Sequence, residues 1–159
     1  MGALYDVPND ILTERIDDFL KLFDLHDRRD YLLEGYSRGM KQKVLIASAI
    51  VHDPPILFLD EPTGGLDPRA ALMVKNLIHE LAVTAGKTIF ICSHFLPLVE
   101  ELCDRIGIIN HGRLLAIGTV DKIIADTRTK TLEEAFIAIT GGVEEKELLA
   151  WREQKGANS

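Results

Sequence analysis

The hydrophobic positions before residue 30 recur every three or four residues, which predicts an amphipathic helix that continues to Asp30. Its apolar stripe is formed by Leu12, Ile16, Phe19, Leu20 and Phe23. Asn9 or Asp10 is available as the N-cap. Residues 36–40 lead into a second predicted helix, which continues to about His52, and Asp53-Pro54-Pro55 ends it because proline cannot continue a helix.

Two short runs are wholly apolar or β-rich and are predicted to be strands. Residues 56–59 (Ile-Leu-Phe-Leu) lead directly into Asp60-Glu61, and residues 88–92 (Thr-Ile-Phe-Ile-Cys) lead into Ser93-His94. A continuous apolar run is typical of a buried parallel strand, so the acidic pair is expected at the end of a sheet, where α/β folds bind ligands. Between the strands a helix is predicted from Asp67-Pro68 to about residue 85, with Asp as N-cap and Pro as the first helical residue.

The remaining pattern predicts shorter elements. In order they are a helix over about residues 95–102, a β-hairpin of residues 106–110 and 113–117 joined at His111-Gly112, short helices from Thr119 and Thr131, and an acidic, helical tail, Val143–Ser159. Thr131-x-x-Glu134 forms a capping box. The strand-helix-strand order predicts an α/β fold. Helices alone precede the first strand, and a sheet of two strands plus a hairpin is thin, so the architecture looks incomplete.

Composition limits the possible functions. The chain has 159 residues, one domain's length, and 47% hydrophobic residues can form a core. Its formal charge of −7 argues against a surface that coats nucleic acid. No apolar run approaches the length of a membrane span, so any work at a membrane needs spans from another chain. Cys92 and Cys103 lie in apolar surroundings and are interpreted as reduced core thiols of a cytosolic protein.

The acidic pair has a specific chemistry. Asp60 is placed to hold a metal ion on a phosphate, and Glu61 is placed to orient or deprotonate a water. The competing interpretation is a core strand with a solvated Asp-Glu end. Ser37 and Gly39 offer a different feature, because they precede a helix whose free N–H groups and dipole favour an anion. For Ser37 the competing interpretation is an ordinary N-cap.

Four motifs together resemble ABC-type ATPase domains in order and approximate spacing. Residues 36–40 (Tyr-Ser-Arg-Gly-Met) resemble the signature motif, and residues 56–61 resemble Walker B with its catalytic glutamate. Residues 64–67 (Gly-Gly-Leu-Asp) resemble the D-loop, and Ser93-His94 resembles the switch histidine. The resemblance implies a partial P-loop NTPase-like α/β domain, with part of the helical subdomain and the C-terminal half of a mainly parallel sheet core.

The resemblance extends to about Gly118 and implies a division of the chain. Residues 1–52 would be the helical region with the signature motif, residues 53–118 the Walker B, D-loop and switch-histidine core, and residues 119–159 a C-terminal helical extension and tail. Trp151, in that tail, is a candidate partner contact.

The resemblance also implies roles for single residues. Its cofactors are ATP and Mg²⁺. Two positions depart from the commonest signature pattern, Arg38 in place of glycine and Met40 in place of glutamine, and they look like exporter subfamilies. The implied roles are catalysis for Glu61 and His94, binding of ATP phosphate across a dimer for Ser37, Gly39 and Asp67, and Mg²⁺ binding through water for Asp60.

One motif is a decoy. Gly86-Lys87-Thr88 resembles the end of a P-loop, but Leu81 stands where that motif needs its first glycine. The topology is also reversed, because here a helix ends and a strand begins. The 159 residues therefore contain no phosphate-cradling loop. Asp60 and Glu61 cannot substitute for it, because two carboxylates repel a polyphosphate unless bound metal and cationic groups are present. We expect the isolated chain to bind ATP weakly or not at all and not to hydrolyse it.

The leading hypothesis is the C-terminal portion of an ATP-binding subunit of an ABC exporter. It would work at the cytoplasmic, inner face of a membrane with membrane-spanning subunits and a second ATP-binding subunit in a head-to-tail dimer, without nucleic acid. The first alternative is a non-catalytic interaction module that completes a partner's ATP site in trans. The second is part of a DNA-repair or chromosome-type ABC ATPase, which the acidic balance and the lack of a long coiled coil disfavour.

Overall fold

The computed structural model describes residues 2–141 and divides the chain into two compact units, Met1–Leu98 and Val99–Ser159. The predicted tail helix and Trp151 lie outside the described residues. The division at residue 118, which follows the extent of the motifs, stays a prediction. No helix in residues 2–141 is both long and apolar enough to cross a membrane.

The first unit alternates helices with two strands. Its elements are a 3₁₀ turn (Gly2–Tyr5), α1 (Asn9–Leu22), 3₁₀ turns at His26–Arg28 and Leu33–Gly35, α2 (Arg38–Ile50), β1 (Ile56–Asp60), α3 (Pro68–Val83) and β2 (Thr88–Cys92). A further helix, α4 (Leu96–Leu102), spans the division at residue 98.

Helix α1 is shorter than its hydrophobic pattern predicts. It ends at Leu22 rather than near Asp30, because Phe23 leaves the helix to become almost fully buried and Asp24 adopts a left-handed conformation with φ of 57°. The predicted N-cap is also wrong. Asn9 is already the first helical residue, and Pro8 precedes it without a side-chain cap.

Strands β1 and β2 form a two-stranded parallel sheet in which Phe58 pairs with Phe90 and Asp60 with Cys92. Helix α2 packs against β1 and α3 against β2. Leu57 and Leu59 are buried, whereas their neighbours on the opposite face are exposed. The prediction of a strand buried on both faces is therefore wrong for β1. Cys92 is likewise exposed and is not a core thiol, because it lies on the open face of β2.

The second unit contains a β-hairpin and two short helices. Its elements are β3 (Ile106–Asn110), β4 (Arg113–Gly118), α5 (Val120–Thr127) and α6 (Leu132–Thr140). His111 and Gly112 both have positive φ, 47° and 73°, which matches the twist of a two-residue hairpin turn. The hairpin is a sheet of its own and does not extend the β1–β2 sheet, contrary to the single thin sheet that we expect from the sequence.

Threonine side chains cap both helices of the second unit. Thr119 accepts a hydrogen bond from the Lys122 N–H, and Thr131 accepts one from the Glu134 N–H. The predicted capping box is confirmed in one direction only, because the Glu134 carboxylate accepts from the N–H of Lys130 instead of Thr131. Cys103 is half-buried, and burial raises the pKa of its thiol.

Candidate functional site

Glu61 occupies an uncommon backbone conformation at the end of β1. Its φ is 44°, in the left-handed region that non-glycine residues rarely adopt. Three contacts hold this turn: the Glu61 N–H donates to the Cys92 carbonyl at 2.9 Å, and the Glu61 carbonyl accepts from the Gly64 N–H at 2.9 Å and from Gln42 Nε2 at 3.2 Å. Gln42 Nε2 also lies 3.4 Å from the Pro62 carbonyl oxygen. Helix α2 and strand β2 therefore both fix the position of Glu61.

The carboxylate of Glu61 is held by the two residues that follow β2. Oε1 accepts from the His94 backbone N–H at 2.9 Å and lies 2.5 Å from His94 Nδ1. Oε2 accepts from the Ser93 hydroxyl at 3.0 Å. The side chain of Glu61 is 36% exposed and that of His94 is 90% exposed, so both can be reached from solvent. The structure thus brings the two predicted catalytic residues, Glu61 and His94, into direct contact.

These contacts set the charge of Glu61. Burial raises the pKa of its carboxyl, but hydrogen bonds from the His94 side chain, the His94 N–H and the Ser93 hydroxyl outweigh that effect and leave the pKa below its ordinary value. Glu61 is therefore an anion at neutral pH. A carboxylate has about four lone-pair positions, and three are used here, so one stays available for a further donor such as a water.

Asp60 is the last residue of β1 and directly precedes Glu61. Because side chains alternate along β1, Asp60 shares the exposed face with Ile56 and Phe58, and it is itself exposed. Within residues 2–141, no group of three or more His, Cys, Asp or Glu side chains could hold a metal ion. The exposed carboxylate of Asp60 is of the type that binds Mg²⁺, an ion that proteins hold through one or two carboxylates while it keeps several waters.

Ser37 and Gly39 lie at the start of α2, as predicted. Ser37 is the N-cap, and its side-chain oxygen accepts from the Met40 N–H at 3.2 Å. The capping interpretation is thus confirmed. Since the exposed hydroxyl of Ser37 keeps its own proton to donate, capping does not remove its ability to bind an anion.

The signature motif packs directly on the loop 64–67. A Cβ added at Gly39 would lie 3.2 Å from the carbonyl oxygen of Gly65, so glycine permits this close approach. Gly65 has φ of 72°, and a Cβ there would lie 2.9 Å from Arg38 Nε. Arg38, one of the two departures from the usual signature pattern, therefore covers Gly65. The structure brings the predicted signature motif and D-loop together.

Asp67 ends this loop and caps α3, as predicted. Its Oδ1 accepts from the Ala70 N–H at 2.9 Å, and Pro68 is the first helical residue. The bond from Ala70 lowers the pKa of Asp67, burial opposes it, and the Arg69 N–H and the positive charge of Lys43 lower it further. Asp67 is exposed at the surface. It has the geometry of a cap and stays accessible to a partner.

Sequence reasoning gave no role to two residues that hold Glu61. The sequence presents Ser93 only as the residue before His94. In the structure its hydroxyl donates to Oε2 of Glu61, and the same oxygen accepts from the Phe95 N–H at 3.1 Å. The sequence motifs assign no role to Gln42, which binds the Glu61 carbonyl. The sequence around Gln42 does not indicate this hydrogen bond, because its partner, Glu61, lies 19 positions away in the chain.

Comparison with known proteins identifies this arrangement of motifs. A family model described as ABC transporter matches residues 5–64. An ABC transporter ATP-binding protein of Nostoc sp., itself uncharacterized, is 39% identical over 130 residues, which are 80% of this chain and 38% of the relative. The daunorubicin/doxorubicin resistance ATP-binding protein of Streptomyces peucetius is 42% identical over 123 residues, 77% of this chain and 37% of the relative.

Importer subunits match as well. The methionine import ATP-binding protein of Haemophilus ducreyi is 35% identical over 141 residues, 89% of this chain and 41% of the relative. The chain thus spans about two fifths of the length of these relatives.

Solved structures agree in fold. An ATP binding subunit of an ABC transporter superposes with a TM-score of 0.79 at 31% identity, over 87% of this chain and 58% of the solved chain. A dimeric ATP-binding cassette in a post-hydrolysis state with ADP and Pi superposes with a TM-score of 0.64 at 26% identity, over 70% of this chain and 48% of the solved chain.

Proposed function

This chain carries part of the ATP-binding domain of the ABC transporter family, and we propose that it supplies the water-orienting half of that domain's ATPase site. The reaction is hydrolysis of ATP to ADP and phosphate, coupled to transport. The observation that carries the proposal is the Glu61 carboxylate, fixed at the end of β1 by His94 and Ser93 with one acceptor position left open.

The electrostatics of Glu61 favour one of its two predicted roles. A general base works best when its pKa lies near the operating pH, whereas the pKa of Glu61 lies below its ordinary value. Glu61 is then a weak base but a charged acceptor that is held in a fixed position. It orients the attacking water through a hydrogen bond, and His94 and Ser93 keep it from rotating away.

Asp60 is the proposed metal ligand. Its exposed carboxylate at the carboxyl end of β1 fits Mg²⁺, which binds proteins through one or two carboxylates and keeps several waters. Asp60 would hold this ion through water, and the ion would supply positive charge that stabilises phosphoryl transfer. Because the Glu61 carboxylate is held by Ser93 and His94, Asp60 rather than Glu61 is proposed as the residue that holds the ion.

The signature motif is proposed to act on the ATP of a second subunit. Ser37 offers a hydroxyl, and Gly39 lets backbone approach closely at the start of a thirteen-residue helix, whose dipole favours an anion. Because the loop 64–67 packs against the signature motif, a displacement of one would shift the other. Asp67 is proposed to take part in that contact across a head-to-tail dimer.

The test is a chimera. Residues 5–141 replace the matching segment of the Streptomyces relative, which supplies the remainder of its own ATP-binding protein. We expect the chimera to hydrolyse ATP. Glu61→Gln, which loses the negative charge and one acceptor oxygen, should reduce phosphate release about 100-fold because the attacking water loses its fixed orientation. The matched control, Glu133→Gln, changes an exposed glutamate of α6 and should leave the rate unchanged. A chimera that binds ATP and retains its rate with Glu61→Gln would refute the role of Glu61.

The isolated chain is proposed to be inactive, because its 159 residues contain no phosphate-cradling loop. Phosphate release from the purified chain with Mg²⁺ and ATP should equal the rate without protein. If the isolated chain hydrolysed ATP and Glu61→Gln abolished that turnover, the proposed inactivity would be wrong. The chain would then need a different site for the phosphates.

We further propose that the complete protein powers export at the cytoplasmic face of a membrane through membrane-spanning partner subunits. The support is the drug-resistance relative, at 42% identity, and the wording of the signature motif with Arg38 and Met40. The methionine importers match at 35% and 37% identity, so the direction needs a direct experiment. Inside-out vesicles that carry the complete transporter would accumulate substrate if it exports and would not if it imports.

The second candidate is an interaction module that offers Ser37 and Gly39 to a complete partner subunit. The exposure of Ser37 beside the D-loop favours it. The two candidates differ in their dependence on Glu61. Stimulation of a partner's ATPase that survives Glu61→Gln but not Ser37→Ala would favour the module.

A further inference from the structure

Lys87 lies in the turn between α3 and β2, within the Gly-Lys-Thr run that does not form a P-loop. Its side chain is 11% exposed, although lysine is rarely buried without a partner. Nζ donates to the Pro54 carbonyl at 2.9 Å, lies 3.4 Å from the Asp53 carbonyl oxygen and forms an ion pair with Asp53 Oδ1 at 2.5 Å. Three oxygen atoms of the segment that leads into β1 therefore surround this ammonium.

The same segment is held from α1 by Arg15. Its Nη1 donates to the Val51 carbonyl at 2.9 Å, and its Nη2 lies 3.9 Å from Asp53 Oδ2. The hydrogen bond from Lys87 lowers the pKa of Asp53, burial opposes this effect, and nearby positive charges lower the pKa further. Asp53 is therefore an anion at neutral pH. We call Arg15, Asp53, Pro54 and Lys87 the polar clamp.

The polar clamp and the predicted catalytic pair lie at opposite ends of the same two strands. The ladder begins with Ile56 opposite Thr88, directly after the polar clamp, and has five paired positions. Glu61 and His94 follow its other end. A parallel strand rises about 3.3 Å per residue, so a register shift of one residue would displace His94 relative to Glu61 by about that distance. Hydrogen bonds require N···O distances of about 2.7–3.2 Å, so the contacts between the two residues would break.

The hydrophobic pattern of the strands does not fix this register. Residues 56–59 and 89–91 are apolar at every position, so a shift exchanges one apolar side chain for another. Lys87 responds differently, because a shift would take its ammonium away from the oxygen atoms of Asp53 and Pro54. An unpaired ammonium in a largely buried position is unfavourable, and fixing a register is among the best supported roles of buried ionic groups. The polar clamp therefore supplies a specificity that the apolar residues lack.

We propose that Lys87 is a positioning residue, which fixes the register of β1 against β2 through the polar clamp and so holds His94 on Glu61. It acts through the backbone of the two strands, since the whole ladder separates it from Glu61. The effect on hydrolysis rests on the proposed function of Glu61. The register itself does not, so the two can be tested separately.

The backbone N–H of Glu61 reports the register, because it donates to the Cys92 carbonyl at 2.9 Å and a shift in either direction breaks this bond. The N–H of Val74, in the buried part of α3, reports global unfolding. Lys87→Met keeps an unbranched side chain and removes the ammonium. In the full chain it should accelerate hydrogen–deuterium exchange at Glu61 about tenfold or more relative to Val74, because hydrogen bonds from a charged group are lost.

Two control variants separate the register from general stability. Lys41→Met removes an exposed lysine of α2 and should leave both exchange rates within about twofold. Ile78→Val shortens a buried side chain of α3, so it should accelerate exchange at Glu61 and Val74 by the same factor.

A disulfide provides a rescue of the register. Asp60 lies opposite Cys92, and paired residues have Cα atoms about 4.8 Å apart, within the span of a disulfide. In a Cys103→Ser background, Asp60→Cys can therefore lock the observed register on oxidation. Lys87→Met should then change exchange at Glu61 less than about twofold in the oxidised protein, whereas the effect should persist in the reduced protein.

The chimera with the Streptomyces relative links the register to hydrolysis. In it, Lys87→Met should lower kcat about tenfold or more and leave KM within about twofold. The reason is that Glu61 loses its fixed position, whereas the residues outside the exchanged segment are unchanged. Unchanged kcat together with faster exchange at Glu61 would uphold the register and count against the proposed function of Glu61.

Equal acceleration at Glu61 and Val74 in Lys87→Met would overturn the proposal, because Lys87 would then contribute only to stability. Acceleration that persists in the oxidised protein would overturn it as well. If Lys87→Met does not fold, as judged by circular dichroism, Asp53→Asn replaces it. Asparagine tolerates the φ of 57° at this position and removes the charge, so exchange at Glu61 should still accelerate about threefold or more relative to Val74.

Discussion

Oε1 of Glu61 receives two contacts from one residue, the backbone N–H of His94 at 2.9 Å and its Nδ1 at 2.5 Å. Because the carboxyl of Glu61 is ionised at neutral pH, the proton in the ring contact belongs to Nδ1. In a neutral ring Nε2 then carries a lone pair and cannot donate to a phosphate. His94 can donate to a phosphate through Nε2 only when the ring is doubly protonated or the contact with Glu61 opens.

The first prediction concerns this tautomer. Long-range ¹H–¹⁵N correlation spectra of the chain at pH 8 should show His94 protonated at Nδ1, whereas the exposed His79 of α3 should favour the ordinary Nε2–H form. Glu61→Ala should return His94 to that form. An Nε2–H tautomer for His94 in the unmodified chain would contradict the contact.

The second prediction concerns acid stability. The pKa of Glu61 is depressed in the folded state, so its contacts add to the free energy of unfolding above the unfolded pKa of about 4.3. This contribution falls as the pH drops through the lower, folded pKa. The difference in free energy of unfolding between the unmodified chain and Glu61→Gln, from urea titrations, should therefore be constant from pH 7 to about 5 and shrink below that range.

The variant Ser93→Ala tests whether the pKa of Glu61 causes this dependence of stability on pH. Ser93→Ala removes one of the bonds that lower the pKa of Glu61, so the pH at which the difference shrinks should move upward. A difference that grows toward acid pH would mean that the folded state binds protons more strongly than the unfolded state at some group, and it would contradict this prediction for Glu61.

Much of the site was predictable because its signals are local. The helix starts at Ser37 and Asp67 follow from a capping residue in front of a helical pattern, and both are confirmed as caps. The contact between Glu61 and His94 follows from two strands that end in polar residues, since paired parallel strands bring their carboxyl ends together.

The exposure of Phe58 and Cys92 could not be predicted in the same way. A run of apolar residues shows that a strand is suited to burial on both faces, but it does not show whether a second layer is present to cover it. The left-handed φ of Glu61 and its bond to Gln42 also have no local signal, because they result from packing of α2 on the loop after β1.

The third prediction tests that packing. Gln42→Ala removes the side-chain amide that binds the carbonyl oxygens of Glu61 and Pro62, and Pro62 is fully buried. Partly buried carbonyls that lose their donor should lower the free energy of unfolding by about 1–2 kcal/mol. The neighbouring control, Lys41→Ala, changes an exposed residue of the same helix and should stay within about 0.5 kcal/mol. Equal effects in chemical denaturation would show that Gln42 does not hold the loop.

The fourth prediction concerns the contact between Gly65 and Arg38. Gly65→Ala combines a left-handed backbone, which costs about 1 kcal/mol for an L-residue, with a Cβ placed 2.9 Å from Arg38 Nε. Gly86→Ala is the matched control, since Gly86 has φ of 65° and no atom within 4 Å of the added Cβ. Urea unfolding should therefore show a larger loss for Gly65→Ala than for Gly86→Ala. Arg38→Ala should remove the excess in the double variant and leave Gly86→Ala unchanged, because only the first pair is in contact. Two results would contradict this prediction: an equal loss of free energy of unfolding in the two glycine variants, or an excess that persists without Arg38. Either would show that the side chain of Arg38 does not rest on Gly65. The signature motif would then not be coupled to the loop 64–67 through this pair.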